Sequence, residues 1–132
     1  MISPYCVLLV ERQSLFLPYL RQLLERDGAR VVSSGPLPSA RRLLQLRPDV
    51  VCVDVDHLKQ SAFSGIRNLR RALPKTRIVA YTNQSDPAWT ALAKSVGADI
   101  VLGPEADGDA VVAATRLHRR AALRQITGTH GA

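Results

Sequence analysis

The sequence lacks any apolar run of the roughly 20 residues that a helix needs to cross a bilayer. It also lacks an N-terminal charged segment followed by an apolar core and a cleavage site, so no secretory signal is predicted. Cysteine is scarce, and Cys6 and Cys52 both fall in predicted strands, where a free thiol behaves as a small buried hydrophobic group. A cytoplasmic chain without a disulfide is therefore expected.

Several motifs of catalysis and cofactor binding are missing as well. There is no glycine fingerprint of a dinucleotide-binding domain. The first predicted strand is followed by Glu-Arg-Gln-Ser-Leu, not by the Ser/Thr/Gly-rich loop that holds a flavin phosphate. Asp56 and His57 are adjacent, which does not fit the Asp-x-His-x-x-Gly motif of cobalamin-binding domains. No Ser-His-Asp or Cys-His arrangement is suggested, so the chain is not expected to be an enzyme.

Acidic residues are fewer than basic ones, 11 against 18, which gives a net charge of +7 and a pI near 10.3. Arginines spread over helix surfaces usually form a solvated face, and a basic nucleic-acid-associated module is the more remote interpretation. Sequence-specific DNA binding is not expected, because no helix-turn-helix or other output domain follows Arg124. The only dense basic group lies near the C-terminus: Arg116, Arg119, Arg120 and Arg124.

The stretch from Arg47 to Asp56 organises the chain. Pro48 ends the preceding helix because proline lacks an amide proton and disfavours helix in the residue before it. Residues 50–53 form an unbroken β-branched and apolar run, the pattern of a strand covered on both faces. The run stops at Asp54 and Asp56, at the point where a parallel strand delivers its side chains to the ligand-binding edge of a sheet.

Four further strands and five helices are predicted from hydrophobic periodicity and turn residues. The strands are placed at 5–10, 29–33, 77–82 and 98–102. The helices are placed from Ser14 to 27, from Ser39 onward, around 62–73, from Pro87 onward, and over 106–124. Leu44 of the second helix and Leu92 of the fourth are predicted to face inward. Residues 57–61 are predicted to form a polar loop. The pattern predicts one α/β domain over 1–125, a doubly wound five-stranded parallel sheet with five helices, and a flexible tail over 126–132.

The residues at the strand ends resemble those of receiver domains of two-component response regulators, over about residues 5 to 124. The resemblance implies the flavodoxin-like strand order 2-1-3-4-5. Asp54 matches the aspartate that accepts a phosphoryl group from a histidine kinase. Glu11 matches one of the acidic pair that helps hold Mg²⁺, and Thr82 matches the hydroxyl that bonds a phosphoryl oxygen. Pro104 matches the proline after the family's lysine.

The chain departs from that pattern at several positions. Arg12 stands at the place of the second acidic residue, and Gly103 stands at the place of the lysine. Ile100 or Val101 fills the position of the family's aromatic residue. Because Mg²⁺ is recruited by carboxylates and phosphoryl transfer needs neutralised oxygens, these substitutions weaken both functions. Arg12 is expected to pair with Asp54 or Glu11 in place of the missing cation.

The residues therefore favour an atypical receiver domain in two-component-type signalling, with little or no Mg²⁺-dependent phosphorylation. The alternative is a working phosphoryl acceptor at Asp54, and only then would Mg²⁺ be required, in an acidic pocket of Glu11, Asp54 and Asp56. Asp56 is otherwise expected to lie in loop solvent or to contribute its backbone on the metal side, and not to act as an acid catalyst; His57 is expected to be unliganded. The expected partner is a histidine kinase or another protein, with homodimers formed through the fourth and fifth helices; no membrane contact is expected. This surface comprises Trp89, Arg116, Arg119, Arg120 and Arg124.

Overall fold

The computed structural model describes residues 5–11, 16–59 and 61–116. The strands are β1 (Cys6–Val10), β2 (Arg30–Ser34), β3 (Val50–Asp54), β4 (Arg77–Tyr81) and β5 (Ile100–Leu102). The helices are α1 (Phe16–Arg26), α2 (Ala40–Leu46), α3 (Val55–Leu58), α4 (Ser61–Ala72) and α5 (Pro87–Ser95). A further helix, α6, includes residues 108–116. The predicted tail, 126–132, and residues 117–125 lie outside the described part of the chain.

The sheet is fully parallel, with the strand order β2-β1-β3-β4-β5. This confirms the predicted fold class and strand order. One detail was wrong, because α3 forms a helical turn where the start of a polar loop was predicted. The cause is local: the Asp54 side chain accepts a hydrogen bond from the backbone N–H of His57 and so caps this turn.

The core has two layers, one on each face of the sheet. Helices α2, α4 and α5 cover one face, and α1 and α6 cover the other. Alternate residues of β3 point into the two layers, Val51 and Val53 into the first, Val50 and Cys52 into the second. Burial on both faces explains why β3 reads as a continuous apolar run without alternation. Burial also raises the pKa of the Cys52 thiol to about 12, and both cysteines are free.

Helix ends follow the chemistry of their terminal residues. Ser39 accepts a hydrogen bond from the N–H of Arg42 at 3.2 Å and begins α2. Asp86 accepts from the N–H of Ala88 at 2.9 Å, and Pro87 takes the first helical position of α5. These two predicted starts are confirmed, whereas Ser14 lies outside the described residues.

Two leucines predicted to face inward do not. Leu44 is 55% exposed and Leu92 is 45% exposed. Helix α2 buries only Leu43, and α5 buries Ala93, so each short helix contacts the sheet through a narrow stripe. Helical spacing placed both leucines beside that stripe, where a side chain reaches the rim of the core but not its interior.

The sheet edge opposite the site is held by Arg70 of α4. Its guanidinium donates to the carbonyl of Thr76 at 2.7 Å, to that of Gly97 at 2.9 Å, and to Asp99 Oδ2 at 2.6 Å. These groups precede β4 and β5, so Arg70 joins the entrances to both strands. Among the described helices, none has the length and apolar character needed to span a membrane.

Candidate functional site

The carboxyl ends of the strands bring the predicted site residues to one edge of the sheet. Asp54, the last residue of β3, pairs in register with Tyr81, the last residue of β4. Glu11 follows β1 directly, and Thr82 follows β4, where its N–H donates to the carbonyl of Leu102 at 3.0 Å. The alignment of parallel strands therefore places acidic and hydroxyl side chains from β1, β3 and β4 together.

Asp54 is half-buried at the junction of β3 and α3. Its Oδ1 accepts the N–H of His57 at 3.2 Å. Burial raises the pKa of Asp54, and the negative charge of Asp56 adds to this effect, whereas the His57 N–H opposes it. This carboxylate thus serves as the cap of a helical turn, and burial makes its charged form costly.

Glu11 is the most buried carboxylate of the site, with 4% of its surface exposed. The hydroxyl of Tyr81 donates a hydrogen bond to Glu11 Oε2. Burial raises the pKa of Glu11; the Tyr81 hydrogen bond lowers it, and the charge of Asp54 raises it. Sequence reasoning missed Tyr81. The available signal was a tyrosine at the end of the strand that precedes Thr82, next to a predicted acidic edge.

Asp56 binds the start of the segment after β4. Its Oδ1 accepts the hydroxyl of Thr82 at 2.6 Å, and its Oδ2 accepts the N–H of Asn83 at 2.6 Å. Thr82 is 5% exposed, and its Oγ1 also accepts the N–H of Gln84 at 3.0 Å. The expectation that the Asp56 side chain faces loop solvent was wrong, because α3 turns this carboxylate toward β4.

His57 joins α3 to the segment between β2 and α2. Its Nε2 lies 3.0 Å from the carbonyl oxygen of Gly35. The contact orients the imidazole over the loop and engages one of its two ring nitrogens. His57 therefore supports the shape of the edge.

The acidic residues do not fit a ready magnesium site. Mg²⁺ prefers six oxygens in near-octahedral geometry. The described part of the chain contains no group of three or more His, Cys, Asp or Glu side chains arranged to hold a metal ion. Tyr81 occupies one oxygen of Glu11, and Thr82 and Asn83 occupy both oxygens of Asp56. A metal would have to share the Asp56 oxygens and Glu11 Oε2 with these donors, which restricts the directions from which it could bind.

The remaining predicted residues lie around this edge or outside the described residues. Gly103 follows β5 and lines a surface groove with Thr90 and Lys94 of α5. Trp89 is partly buried and packs on Phe63, with ring centroids 5.2 Å apart. Arg116, a member of the basic group near the C-terminus, donates through Nε to Asp27 Oδ1 at 2.8 Å and so links α6 to the end of α1. Outside the described residues lie Arg12, Arg119, Arg120 and Arg124.

Comparison with known proteins gives relatives of two kinds, while no family model matches the chain. Protein-glutamate methylesterase/protein-glutamine glutaminase 2 of Xanthomonas oryzae pv. oryzae is 32% identical over 110 residues. A corresponding enzyme of Xanthomonas axonopodis pv. citri gives the same identity over the same length. Each match covers 80% of this chain but 31% of the enzyme, so the chain spans about a third of these curated relatives.

Solved structures share the fold at lower identity. A response regulator receiver domain from Clostridium thermocellum has a TM-score of 0.74 at 23% identity, covering 90% of this chain and 98% of that one. An orphan response regulator of H. pylori has a TM-score of 0.74 at 19% identity, covering 88% and 97%. A response regulator from Burkholderia pseudomallei with a phosphorylated aspartic acid has a TM-score of 0.69 at 23% identity, covering 91% and 74%. The described residues therefore share the fold of these response regulators, a parallel sheet in the order 2-1-3-4-5 covered by helices on both faces.

Proposed function

We propose that this chain is an atypical receiver domain of two-component signalling that acts through protein contacts, with little or no Mg²⁺-dependent phosphorylation of Asp54. The observation behind this proposal is that Glu11 and Asp56 already accept hydrogen bonds from the end of β4. In a metal-dependent receiver, the carboxylates must be available to the ion. Here one oxygen of Glu11 accepts from Tyr81, and both oxygens of Asp56 accept from Thr82 and Asn83.

The chemistry of phosphoryl transfer supports the same proposal. The transferred group has charge on its equatorial oxygens, and catalysis depends on positioning and neutralising that charge. Gly103 provides no cation at the place where the resemblance implies a lysine. Thr82, the residue expected to bond a phosphoryl oxygen, already donates its hydroxyl to Asp56. Two of the contributions that a phosphoryl acceptor needs, the cation and the free hydroxyl, are thus absent or engaged elsewhere.

A working phosphoryl acceptor is the alternative, and one observation favours it. Asp54 lies half-buried at the carboxyl end of the central strand, with Thr82 on the neighbouring strand end. A receiver fold with a phosphorylated aspartate is found in the response regulator from Burkholderia pseudomallei. Under this alternative Mg²⁺ would be a cofactor, and Asp54 would receive the phosphoryl group.

For partner binding, we propose the surface of α5 and α6, the predicted fourth and fifth helices. Leu92 is 45% exposed on α5, and Lys94 lines a groove with Pro104 after β5. A histidine kinase, another protein or a second copy of the chain would meet this surface, in the cytoplasm. The basic group near the C-terminus would attract an acidic partner surface, and added salt would weaken this attraction.

Intact-mass spectrometry tests the phosphorylation proposal. The purified chain is incubated with acetyl phosphate or phosphoramidate and Mg²⁺, beside Asp54→Asn as the matched control. Wild type and Asp54→Asn are each expected to keep the mass of the unmodified protein, with little or no phosphoryl adduct. A substantial Mg²⁺-dependent adduct that is lost in Asp54→Asn would establish the phosphoryl-acceptor alternative.

A further inference from the structure

The Asp56 carboxylate is held at both of its oxygens by groups from the end of β4. The Thr82 hydroxyl donates to Oδ1 and the Asn83 N–H donates to Oδ2, each at 2.6 Å. Thr82 is itself oriented, because its Oγ1 accepts the N–H of Gln84 at 3.0 Å. The partners lie 26 and 27 residues from Asp56 in sequence, so this contact is tertiary and joins α3 to the segment that leads into α5.

A hydroxyl and a backbone N–H that converge on one acceptor can bind an oxyanion. Charge-assisted hydrogen bonds to an anionic oxygen are shorter and stronger than neutral ones, and the two distances here are in that short range. The carboxylate of Asp56 has the negative charge and the paired oxygens that these donors accommodate. Its side chain thus takes the position in which Thr82 would otherwise bond an oxygen of a phosphoryl group or a free anion.

We propose that Asp56 acts as an internal ligand for the Thr82 hydroxyl and the Asn83 N–H, at the place where the resemblance implies that Thr82 would bond a phosphoryl oxygen. The segment 83–86, which ends at the cap of α5, is then held in one anion-bound conformation without phosphorylation. This inference rests on the proposed function, because it describes the conformation of segment 83–86 in a domain whose Asp54 accepts no phosphoryl group. Asp56 is the residue that sets this conformation.

Tethering explains why Asp56 would prevail over anions in solution. A ligand held beside its site within the same folded domain binds intramolecularly, with an effective concentration in the millimolar range or above. Asp56 is only two residues from Asp54, whose carboxylate caps α3 and so fixes where the next turn points. A free phosphate at lower concentration could not displace a carboxylate held in place by both the chain and the helical turn.

Amide hydrogen exchange of the purified chain, followed by NMR, tests the internal contact. The Asn83 amide is expected to exchange roughly tenfold or more faster in Asp56→Ala than in wild type, because it loses a charged acceptor. Asp56→Asn retains one carbonyl acceptor and is expected to give an intermediate rate, and it serves as the readout if Asp56→Ala does not fold. The control is Asp86→Ala, which removes a carboxylate of the same segment that caps α5 and does not contact Asn83. Equal Asn83 exchange in wild type, Asp56→Asn and Asp86→Ala would overturn the inference.

A titration with inorganic phosphate tests the vacated site. In Asp56→Ala, the amide signals of Asn83 and Gln84 are expected to shift saturably with phosphate, while the wild-type signals stay in place. Wild-type signals that shift as much as those of the variant, or a folded variant that shows no shift, would refute the anion site. Failure of the proposed function would look different, since it would appear as a phosphoryl adduct on Asp54 whatever the exchange rate of Asn83.

Discussion

The hydrogen bond between Tyr81 and Glu11 can be removed with little change in shape by the substitution Tyr81→Phe. The aromatic ring remains, and only the hydroxyl that donates to Glu11 is lost. Glu11 is 4% exposed, so water cannot readily replace that donor. A hydrogen bond to a charged group contributes about 1.5–3 kcal/mol, and leaving a buried acceptor unpaired costs a similar amount. We therefore expect Tyr81→Phe to lower the free energy of unfolding by about 2 kcal/mol at pH 7.

The same substitution should act less at acidic pH. Burial holds the pKa of Glu11 above its ordinary value of 4.5, and the Tyr81 hydrogen bond opposes that shift. A carboxyl group with a raised folded-state pKa stabilises the protein most below its unfolded-state pKa. That contribution is lost as the pH rises through the folded-state pKa. Removing the hydroxyl raises the pKa of Glu11 further, so the loss of stability should be larger at pH 7 than at pH 4.

Urea denaturation followed by circular dichroism at both pH values measures these effects. For a chain of this size, 2 kcal/mol corresponds to a fall in Tm of roughly 6–10 °C at neutral pH. A double-mutant cycle with Glu11→Met isolates the pair, since in that background Tyr81→Phe should cost much less. Two outcomes would show that the hydroxyl does not stabilise Glu11. One is that Tyr81→Phe costs less than about 0.5 kcal/mol at pH 7. The other is that Tyr81→Phe costs the same with Glu11 and with Met at position 11.

Two further substitutions test the edge opposite the site. Arg70→Met removes the guanidinium that donates to the carbonyls of Thr76 and Gly97 and to Asp99, and should lower the free energy of unfolding by about 2–4 kcal/mol. The exposed neighbour Arg71, changed to Met, should stay within about 0.5 kcal/mol of wild type in the same urea titration. Gly97→Ala should cost about 1–3 kcal/mol, because Gly97 has a φ of 129° and a new Cβ would lie 2.9 Å from Arg70 Cβ. Gly35→Ala, where a Cβ meets nothing within 4 Å, should leave Tm nearly unchanged.

Much of the fold could be predicted because local signals and global topology agree. The β-branched run at 50–53 and the capping residues Ser39 and Asp86 each specify one element, and the structure has all of them. The prediction of which residues face the core was less accurate in the short helices. Over two turns, helical spacing cannot separate a residue on the core stripe from one beside it, and Leu44 and Leu92 were misplaced for that reason.

Within the site, sequence reasoning found the residues but not their pairing. The rule that parallel strand ends share an edge was sufficient to gather Glu11, Asp54 and Thr82. It could not predict the contact between Tyr81 and Glu11, because β4 is separated from β1 by β3 in the sheet. The hydroxyl reaches Glu11 across two strand spacings, about 10 Å between backbones. Only long side chains at both ends can bridge that distance, and their direction depends on packing that the sequence pattern does not specify.

The nature of the donors explains why this acidic edge titrates as it does. In the described residues, the hydrogen bonds to Glu11, Asp54 and Asp56 come from tyrosine and threonine hydroxyls and from backbone N–H groups, all of them neutral. Neutral donors satisfy the lone pairs of a carboxylate but leave its charge in place. A cation at Gly103 or a bound metal would instead lower the pKa values of Glu11 and Asp54. Burial therefore dominates, and the pKa values of both Glu11 and Asp54 are raised. Phosphoryl transfer depends on positive charge around the transferred oxygens, and the described hydrogen-bond donors at this edge supply none, which supports the proposal that Asp54 accepts little or no phosphate.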